Sequence, residues 1–127
     1  MDNINNVDMW LKRAKSSLIH SKDDKKDGLY YEDLCFDCQQ SAEKSLKALI
    51  VDLGLEVHKT HSFRELFKEL KKRITLPVWT EDILELGQYA VMTRYPDDYR
   101  EISEEEYLRA VEIAERVYNW VKDQIKY

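Results

Sequence analysis

The sequence has 127 residues and a formal net charge of −5 at pH 7, with 20 lysines and arginines against 25 aspartates and glutamates. This length suits one domain with a hydrophobic core, and we treat residues 1–127 as a single helical domain. The charge balance argues against broad binding of nucleic acid, although it permits a local cationic pocket. Only three glycines and two prolines interrupt the chain, which favours long helices over β structure.

Two sequence features bear on location. No apolar run approaches the ~20 residues that span a bilayer, so we expect no membrane association. The start of the chain carries charged residues and lacks an apolar stretch of signal-peptide length. The sequence therefore predicts a cytoplasmic protein.

Cys35 and Cys38 form an isolated C-x-x-C pair. Such a pair is typical of a redox motif or of half a zinc site, but a zinc site needs about four ligands and the chain has no second pair. The three histidines, His20, His58 and His61, lack zinc-finger spacing to the cysteines. We predict two buried side chains one turn apart on a helix, with no metal and no redox role.

The spacing of apolar residues predicts five helices and no strand. The first helix extends from about Ile4 to Lys22 and the second from about Leu29 to Leu53, where Gly54 fits a C-terminal stop. The predicted apolar face of the second helix consists of Tyr31, Cys35, Cys38, Ala42, Leu46, Leu49 and Leu53. The opposite face consists of Asp33, Asp37, Gln40, Lys44 and Lys47.

Capping residues and prolines mark the next two helices. Ser62, followed three residues later by a glutamate, fits a capping box before a third helix. Pro77 marks a break, and Thr80 can cap a fourth helix that ends near Tyr95, because Pro96 disfavours the helical conformation before it. The apolar residues of the fourth helix are Trp79, Ile83, Leu86 and Ala90.

Ser103 and Glu106 fit a second capping box, which begins the fifth helix. The predicted buried side of this helix consists of Tyr107, Ala110, Ala114, Val117, Val121 and Ile125. Helices joined by short loops favour an antiparallel, up-and-down bundle. The sequence therefore predicts an all-α bundle of about five helices.

The first cluster that could carry function lies in the second helix and reads Gln39-Gln40-x-x-Glu43-Lys44-x-x-Lys47-Ala48. Lys44 and Lys47, one turn apart, could line a phosphate or nucleotide site. Alternatively, the cluster is a solvated helix face supported by ion pairs at i,i+4, such as Glu43 with Lys47. From the residues alone the solvated face is the favoured interpretation, because such pairs are common on exposed helices.

The second cluster, Lys59-Thr60-His61-Ser62, precedes the third helix. Helix N-termini attract anions through unpaired N–H groups and a partial positive charge, and Lys59 and a protonated His61 would add to that field. In the alternative interpretation, Ser62 or Thr60 only caps the helix and His61 packs against a neighbour. The sequence leaves both interpretations open.

The third cluster is Arg94-Tyr95-Pro96-Asp97-Asp98. Arg94 offers a bidentate fork for phosphate or carboxylate, and Tyr95 offers an aromatic face. Asp97 could orient the arginine or hold a hard cation beside a nucleotide. The alternative, which the residues alone favour, is a helix C-terminus where the arginine satisfies backbone carbonyls and Pro96 stops the helix.

Taken in order, the three clusters and the Tyr30-Tyr31 start of the second helix resemble the HEPN domain family over most of the chain. The resemblance implies an up-and-down helical bundle, often a homodimer, similar to the C-terminal domain of kanamycin nucleotidyltransferase. It implies a minimal nucleotidyltransferase as a partner, in a pair of toxin–antitoxin type. For some members it also implies nucleotide binding, with or without Mg²⁺.

The resemblance implies a non-catalytic module that binds a nucleotide or phosphate ligand. The implied ligand contacts are Lys44, Lys47, Lys59, His61, Arg94 and Tyr95, supported by Gln40, Glu43 and Asp97. An alternative is a docking bundle that has no ligand of its own.

A ribonuclease is a further alternative that the resemblance brings in. Ribonucleases of the family use Arg-x(4–6)-His near the last helix, but no histidine follows His61. The one formal match, Arg13 to His20, falls in the first helix, and we interpret it as a coincidence. Enzymatic activity of this chain alone is therefore disfavoured.

Overall fold

The computed structural model describes residues 6–22, 30–92 and 100–125. The helices are α1 (Val7–Ser21), α2 (Tyr31–Asp52), α3 (Phe63–Leu70), a 3-10 helix (Val78–Gly87), α4 (Gln88–Met92) and α5 (Glu104–Gln124). No strand occurs in these described ranges. The predicted all-α antiparallel bundle is confirmed.

Helix α1 begins at Val7 and not near Ile4, the predicted start. Asn6 adopts an extended backbone conformation, and its side chain accepts a hydrogen bond from the Met9 N–H at 3.0 Å. This contact satisfies one of the N–H groups that a first turn leaves unpaired, so Asn6 fixes the start. The helix ends at Ser21, next to the predicted end.

Helix α2 is the centre of the bundle, since α1, α3, α4, α5 and the 3-10 helix all pack against it. No residue between positions 34 and 50 is exposed. The favoured interpretation of the polar face as solvated is therefore wrong: Glu43 and Lys47 are buried, and Lys44 is partly buried. Helices on opposite sides of α2 cover both its apolar and its polar stripe, which a single amphipathic pattern does not reveal.

The C-terminus of α2 ends as its glycine predicts. Gly54 has a φ of +73°, which a residue without a Cβ adopts at low cost. The Gly54 N–H donates to the Val51 carbonyl and the Leu55 N–H donates to the Ile50 carbonyl, each at 3.0 Å. These two bonds form a Schellman motif, which satisfies carbonyls at the end of the helix.

The fourth predicted helix differs from the expectation. It begins at Val78 after Pro77, and its first ten residues form a 3-10 helix before α4 begins. Thr80 is not the cap, since its hydroxyl lies inside the helix and donates to the Pro77 carbonyl at 2.6 Å. The buried residues here are Thr80, Ile83, Leu86, Tyr89 and Met92. This spacing of three suits the 3.0 residues per turn of a 3-10 helix.

Helices α3 and α5 begin as their capping residues predict. The Ser62 hydroxyl accepts a hydrogen bond from the Glu65 N–H at 3.3 Å, and the Ser103 hydroxyl accepts one from the Glu106 N–H at 3.1 Å. All six residues of the predicted buried side of α5 are buried. Both helix starts and the register of α5 are confirmed.

Cys35 and Cys38 are buried and unbridged, as two small side chains one turn apart. Burial raises the pKa of each thiol to about 12, which keeps both neutral and poorly nucleophilic near pH 7. Within the described ranges, no group of three potential ligands could hold a metal ion. None of the helices described is both long and apolar enough to cross a membrane.

Candidate functional site

A buried glutamate, Glu43, organises the polar interior between α2 and the start of α3. Only 4% of its side chain is exposed. Its Oε2 atom lies 3.1 Å from the Lys47 ammonium, and its Oε1 atom lies 2.8 Å from Nδ1 of His61. Oε1 also accepts a hydrogen bond from the Gln39 amide at 3.0 Å. The Glu43 carboxylate is thus compensated on both of its oxygens.

Local geometry explains how these groups meet. Gln39, Glu43 and Lys47 are spaced by four residues, so they stack along one face of α2. Helix α1 covers this face with Trp10, whose ring centroid lies 5.4 Å from the Lys47 ammonium in a cation–π contact. The chain then places His61 beside Glu43, directly before the cap of α3.

The Glu43 cluster, comprising Gln39, Gln40, Glu43, Lys47 and His61, joins parts of two predicted clusters. Gln40 enters it by donating to the Gln39 side chain at 2.8 Å. Only 7% of the Lys47 side chain is exposed, and its ammonium is paired with Glu43. This burial disfavours the predicted contact between Lys47 and a phosphate, which stays a prediction.

Lys44 does not join the Glu43 cluster through any hydrogen bond described. It is partly buried, and this desolvation lowers the pKa of its ammonium. The Glu43 and Asp37 charges act in the opposite direction, and the Arg13 charge adds to the lowering. The predicted pair of parallel ammonium groups is therefore split, with Lys47 sequestered and Lys44 nearer the surface.

The His61 ring lies at the edge of a cleft of about 380 Å³. The Glu43 contact engages Nδ1, while 59% of the His61 side chain remains exposed. The start of α3 forms one wall with Ser62, Phe63 and Arg64. The opposite wall consists of Leu84, Gly87, Ala90 and Val91.

Lys59 faces a different cleft, of about 330 Å³, so the structure divides the second predicted cluster. This cleft is built around Glu69, of whose side chain 8% is exposed. Its Oε1 atom lies 2.9 Å from the Lys72 ammonium and 3.4 Å from Nε2 of His58. The hydrogen bond from Lys72 lowers the pKa of the Glu69 carboxyl, and the Glu56 N–H and the His58 charge act in the same direction.

The third predicted cluster cannot be placed beside these clefts. Arg94, Tyr95 and Asp97 lie outside the described residues. Their predicted contacts with a nucleotide stay predictions.

A larger cleft of about 660 Å³ lies between the start of α2 and the start of α5. Glu32, Glu101 and Glu104 line it, and its arginine, Arg100, is bound to Glu106 at 2.8 Å. This contact holds the pKa of the Glu106 carboxyl below its usual range. Carboxylates dominate the lining, so this cleft suits an anion less well than the other two.

The sequence interpretation missed Arg64, His58 and Glu69. The spacing of Arg64 and Glu69 along α3 resembles that of any charged surface helix, and nothing in it marks Glu69 as buried. Gln39 belonged to the first predicted cluster, and it precedes Glu43 by four residues just as Glu43 precedes Lys47.

The comparisons with known proteins agree on one family. The HEPN domain family matches residues 7–124. The crystal structure of TT1696 from Thermus thermophilus is 28% identical to the chain, with a TM-score of 0.81. The crystal structure of ST0689, an archaeal HEPN homologue, is 34% identical, with a TM-score of 0.72. Each match covers 94% of this chain and 98% of the other. No curated protein matches the chain.

Proposed function

The chain belongs to the HEPN domain family, and we propose that it is a non-catalytic module that binds a phosphate-bearing ligand, a nucleotide, at the His61 cleft. The proposal includes an accessory role to a minimal nucleotidyltransferase, in a pair of toxin–antitoxin type. The observation that carries the binding proposal is the contact between Glu43 and His61.

The Glu43 contact orients the histidine ring toward a ligand. When the buried carboxylate accepts a hydrogen bond from Nδ1–H, the second ring nitrogen, Nε2, is left for a ligand in the cleft that His61 lines. In the imidazolium form Nε2 carries a proton and donates a hydrogen bond to an anion. Because Glu43 is held by Lys47 and Gln39 as well, the ring is positioned before any ligand arrives.

The start of α3 supplies further groups that suit an anion. First-turn N–H groups have no intrahelical acceptor and lie at the positive end of the helix dipole. Phe63 and Arg64 occupy this turn and line the cleft. A phosphate there would meet backbone N–H groups, the guanidinium of Arg64 and the ring of His61.

The other wall of the cleft is apolar and suits the remainder of a nucleotide. Leu84, Ala90 and Val91 provide an aliphatic surface opposite the cationic side. A cleft of about 380 Å³ falls within the range of about 300–1,000 Å³ that small-molecule sites occupy. A ligand with one charged end and one flat, less polar end therefore fits both walls.

Calorimetric titration with ATP and GTP, with and without Mg²⁺, tests this proposal. We expect saturable binding by the wild-type chain and a loss of affinity of about tenfold or more in His61→Gln and in Arg64→Ala, since each removes a charge-assisted contact. Arg94→Ala tests the contact that the family resemblance implies.

His58→Gln is the matched control, because it alters the other histidine of the same loop and leaves the His61 cleft intact. It should bind nucleotide as the wild type does. Absence of binding by the wild-type chain, or equal loss in His58→Gln and His61→Gln, would contradict a phosphate site at His61.

We also propose that the chain forms a homodimer. Membership of the HEPN family supports this, since HEPN domains often dimerise. Light scattering after size-exclusion chromatography should give about twice the 15.2 kDa mass of the chain. Co-expression with an adjacently encoded minimal nucleotidyltransferase should yield a stable complex. A monomer that passes through the column separately from that protein would argue against both the dimer and the accessory role.

A further inference from the structure

Positive charge is concentrated in one segment of this acidic protein. The chain has a net charge of −5, yet residues 57–80 contain two carboxylates, Glu65 and Glu69, against six cationic side chains. The six are Lys59, Arg64, Lys68, Lys71, Lys72 and Arg73, and all are exposed. Glu69 pairs with Lys72 at 2.9 Å and offsets part of this charge, but with both carboxylates counted the segment keeps an excess of positive charge.

We define the basic surface as Lys59, Lys68, Lys71, Lys72 and Arg73. Lys68 and Lys72 are spaced by four residues and lie on one side of α3 and its C-terminal turn, about 5–6 Å apart at Cβ. Lys59, from the preceding loop, lines the same cleft of about 330 Å³. Lys59, Lys68 and Lys72 thus line one groove together with Glu65 and Glu69, and the three cations outnumber the two carboxylates.

The buried carboxylate of Glu69 holds this groove in shape. It binds the Lys72 ammonium at 2.9 Å and lies 3.4 Å from Nε2 of His58. It also accepts the Glu56 N–H at 3.4 Å, which ties the loop before α3 to the helix. Side chains that are positioned in advance lose less entropy when a partner binds.

We propose that the basic surface is a docking site for an acidic segment of a protein partner, with one of its carboxylates seated in the Lys59–Lys68–Lys72 groove. Carboxylates spaced by four residues on a partner helix have the same separation of about 5–6 Å as Lys68 and Lys72. This function goes beyond nucleotide binding, because the Lys59, Lys68 and Lys72 groove is separate from the His61 cleft.

Two observations favour an acidic polypeptide over a nucleic acid. Among the described residues, no Phe, Tyr or Trp side chain lines the groove, whereas single-stranded nucleic acids are held largely by stacking on such rings. The remainder of the chain is acidic and would repel a polyanion that extends past the basic surface. A short acidic segment contacts the basic surface alone.

Fluorescence anisotropy with a labelled helical peptide of about 20 residues, long enough to form a helix, tests the proposal. The peptide carries glutamates spaced by four, and a scrambled peptide of equal composition tests the spacing. The chain variants are Lys68→Glu/Lys71→Glu and, as a graded version, Lys68→Gln/Lys71→Gln. The control is Lys12→Glu/Lys15→Glu, which changes the net charge equally at two exposed lysines of α1.

We expect binding that weakens about tenfold in the charge-reversed variant, less in the glutamine variant, and little in the α1 control. Circular dichroism establishes that each variant is folded. Equal weakening in both charge-reversed variants, or no binding by the wild type, would overturn the proposal. Tighter, Lys68-dependent binding of a single-stranded RNA or an RNA duplex would replace the acidic polypeptide with nucleic acid.

The outcome is separable from that of the nucleotide titrations. Nucleotide binding in Lys68→Glu/Lys71→Glu should match the wild type, because neither lysine lines the His61 cleft. Peptide binding in His61→Gln should likewise match the wild type. A negative result for peptide binding therefore does not count against nucleotide binding, and the reverse also holds.

Discussion

Two glutamates flank the loop that carries His58 and His61, and they have nearly the same partners. Glu43 binds a lysine at 3.1 Å and His61 at 2.8 Å. Glu69 binds a lysine at 2.9 Å and lies 3.4 Å from His58. Each carboxylate is itself buried, and each lysine follows its glutamate by three or four residues.

The two sites differ in the exposure of their lysines. Only 7% of the Lys47 side chain is exposed, against 60% of the Lys72 side chain. Desolvation costs a buried pair several kcal/mol per ion, and only close compensation offsets it. A surface pair has little such cost and little net stabilisation. Burial of the lysine therefore makes one site a structural element and leaves the other available to partners.

The largest expected effect comes from removing the buried carboxylate. Glu43→Ala leaves the Lys47 ammonium buried without its counter-ion, and we expect the free energy of unfolding to fall by about 3–5 kcal/mol. Urea denaturation followed by circular dichroism measures this change. The double variant Glu43→Leu/Lys47→Met replaces both charges with apolar groups and should recover much of the loss. Exposed ion pairs contribute up to about 1 kcal/mol to stability. A loss below that value in Glu43→Ala would mean that the Glu43–Lys47 pair behaves like an exposed pair.

A smaller effect is expected at the aromatic cover of the Glu43 cluster. Trp10→Leu removes the ring under the Lys47 ammonium, and the cation–π contact contributes about 0.5–2 kcal/mol. Trp10→Phe keeps an aromatic face and should lose less. The same denaturation measurement applies. Combined with Lys47→Met, Trp10→Leu should show non-additive changes, and strict additivity would indicate that the ring only fills space.

The Glu69 site should show a pH signature. The pKa of Glu69 is lowered in the folded state, chiefly by Lys72, so its ionised form favours folding above the unfolded value of about 4.5. The stability difference between wild type and Glu69→Gln should be present at pH 7, decrease as the pH falls below about 4.5, and be lost once the pH has passed through the lower pKa of the folded state. At pH 7 the loss of unfolding free energy in Glu69→Gln should be smaller than the loss in Glu43→Ala. A difference that persists at low pH would mean that Glu69 acts through packing.

Lysine labelling measures the difference in exposure between Lys47 and Lys72 directly and needs no substitution. An amine-reactive ester should modify Lys72 readily and Lys47 hardly at all, because reaction requires an accessible, deprotonated amine. Peptide mapping by mass spectrometry in a time series measures both rates in one sample. Unfolding in urea should make the two rates similar. Comparable rates in the native protein would show that Lys47 is accessible. Lys47 would then again be a candidate for contact with a phosphate.

Local sequence signals predicted much of the fold. The caps Ser62 and Ser103 and the stop at Gly54 act within a few residues, so their patterns could be recognised in the chain. The fourth helix was predicted as α-helical because its apolar residues suit spacings of three and four alike. The structure shows that burial there repeats every third residue over ten residues.

The candidate site was predicted less completely, because it depends on contacts between distant segments. His61 was identified as a candidate, but its partner Glu43 lies 18 residues earlier in the chain. Lys59 and His61 are two residues apart, yet they face different clefts. Spacing along a sequence specifies helix faces, whereas the allocation of loop side chains depends on how helices pack.

Propensity, capping and apolar periodicity are local properties, so the helical class, most helix ends and many core residues could be predicted from the order of residues. The burial of polar groups, by contrast, depends on how the helices pack. Helix α2 presents both a polar and an apolar face, and Trp10 of α1 and His61 before α3 pack against Lys47 and Glu43, which are buried. The free energy of a charge depends on its distance from water. The different roles of Lys47 and Lys72 therefore follow from packing and not from their spacing along the sequence.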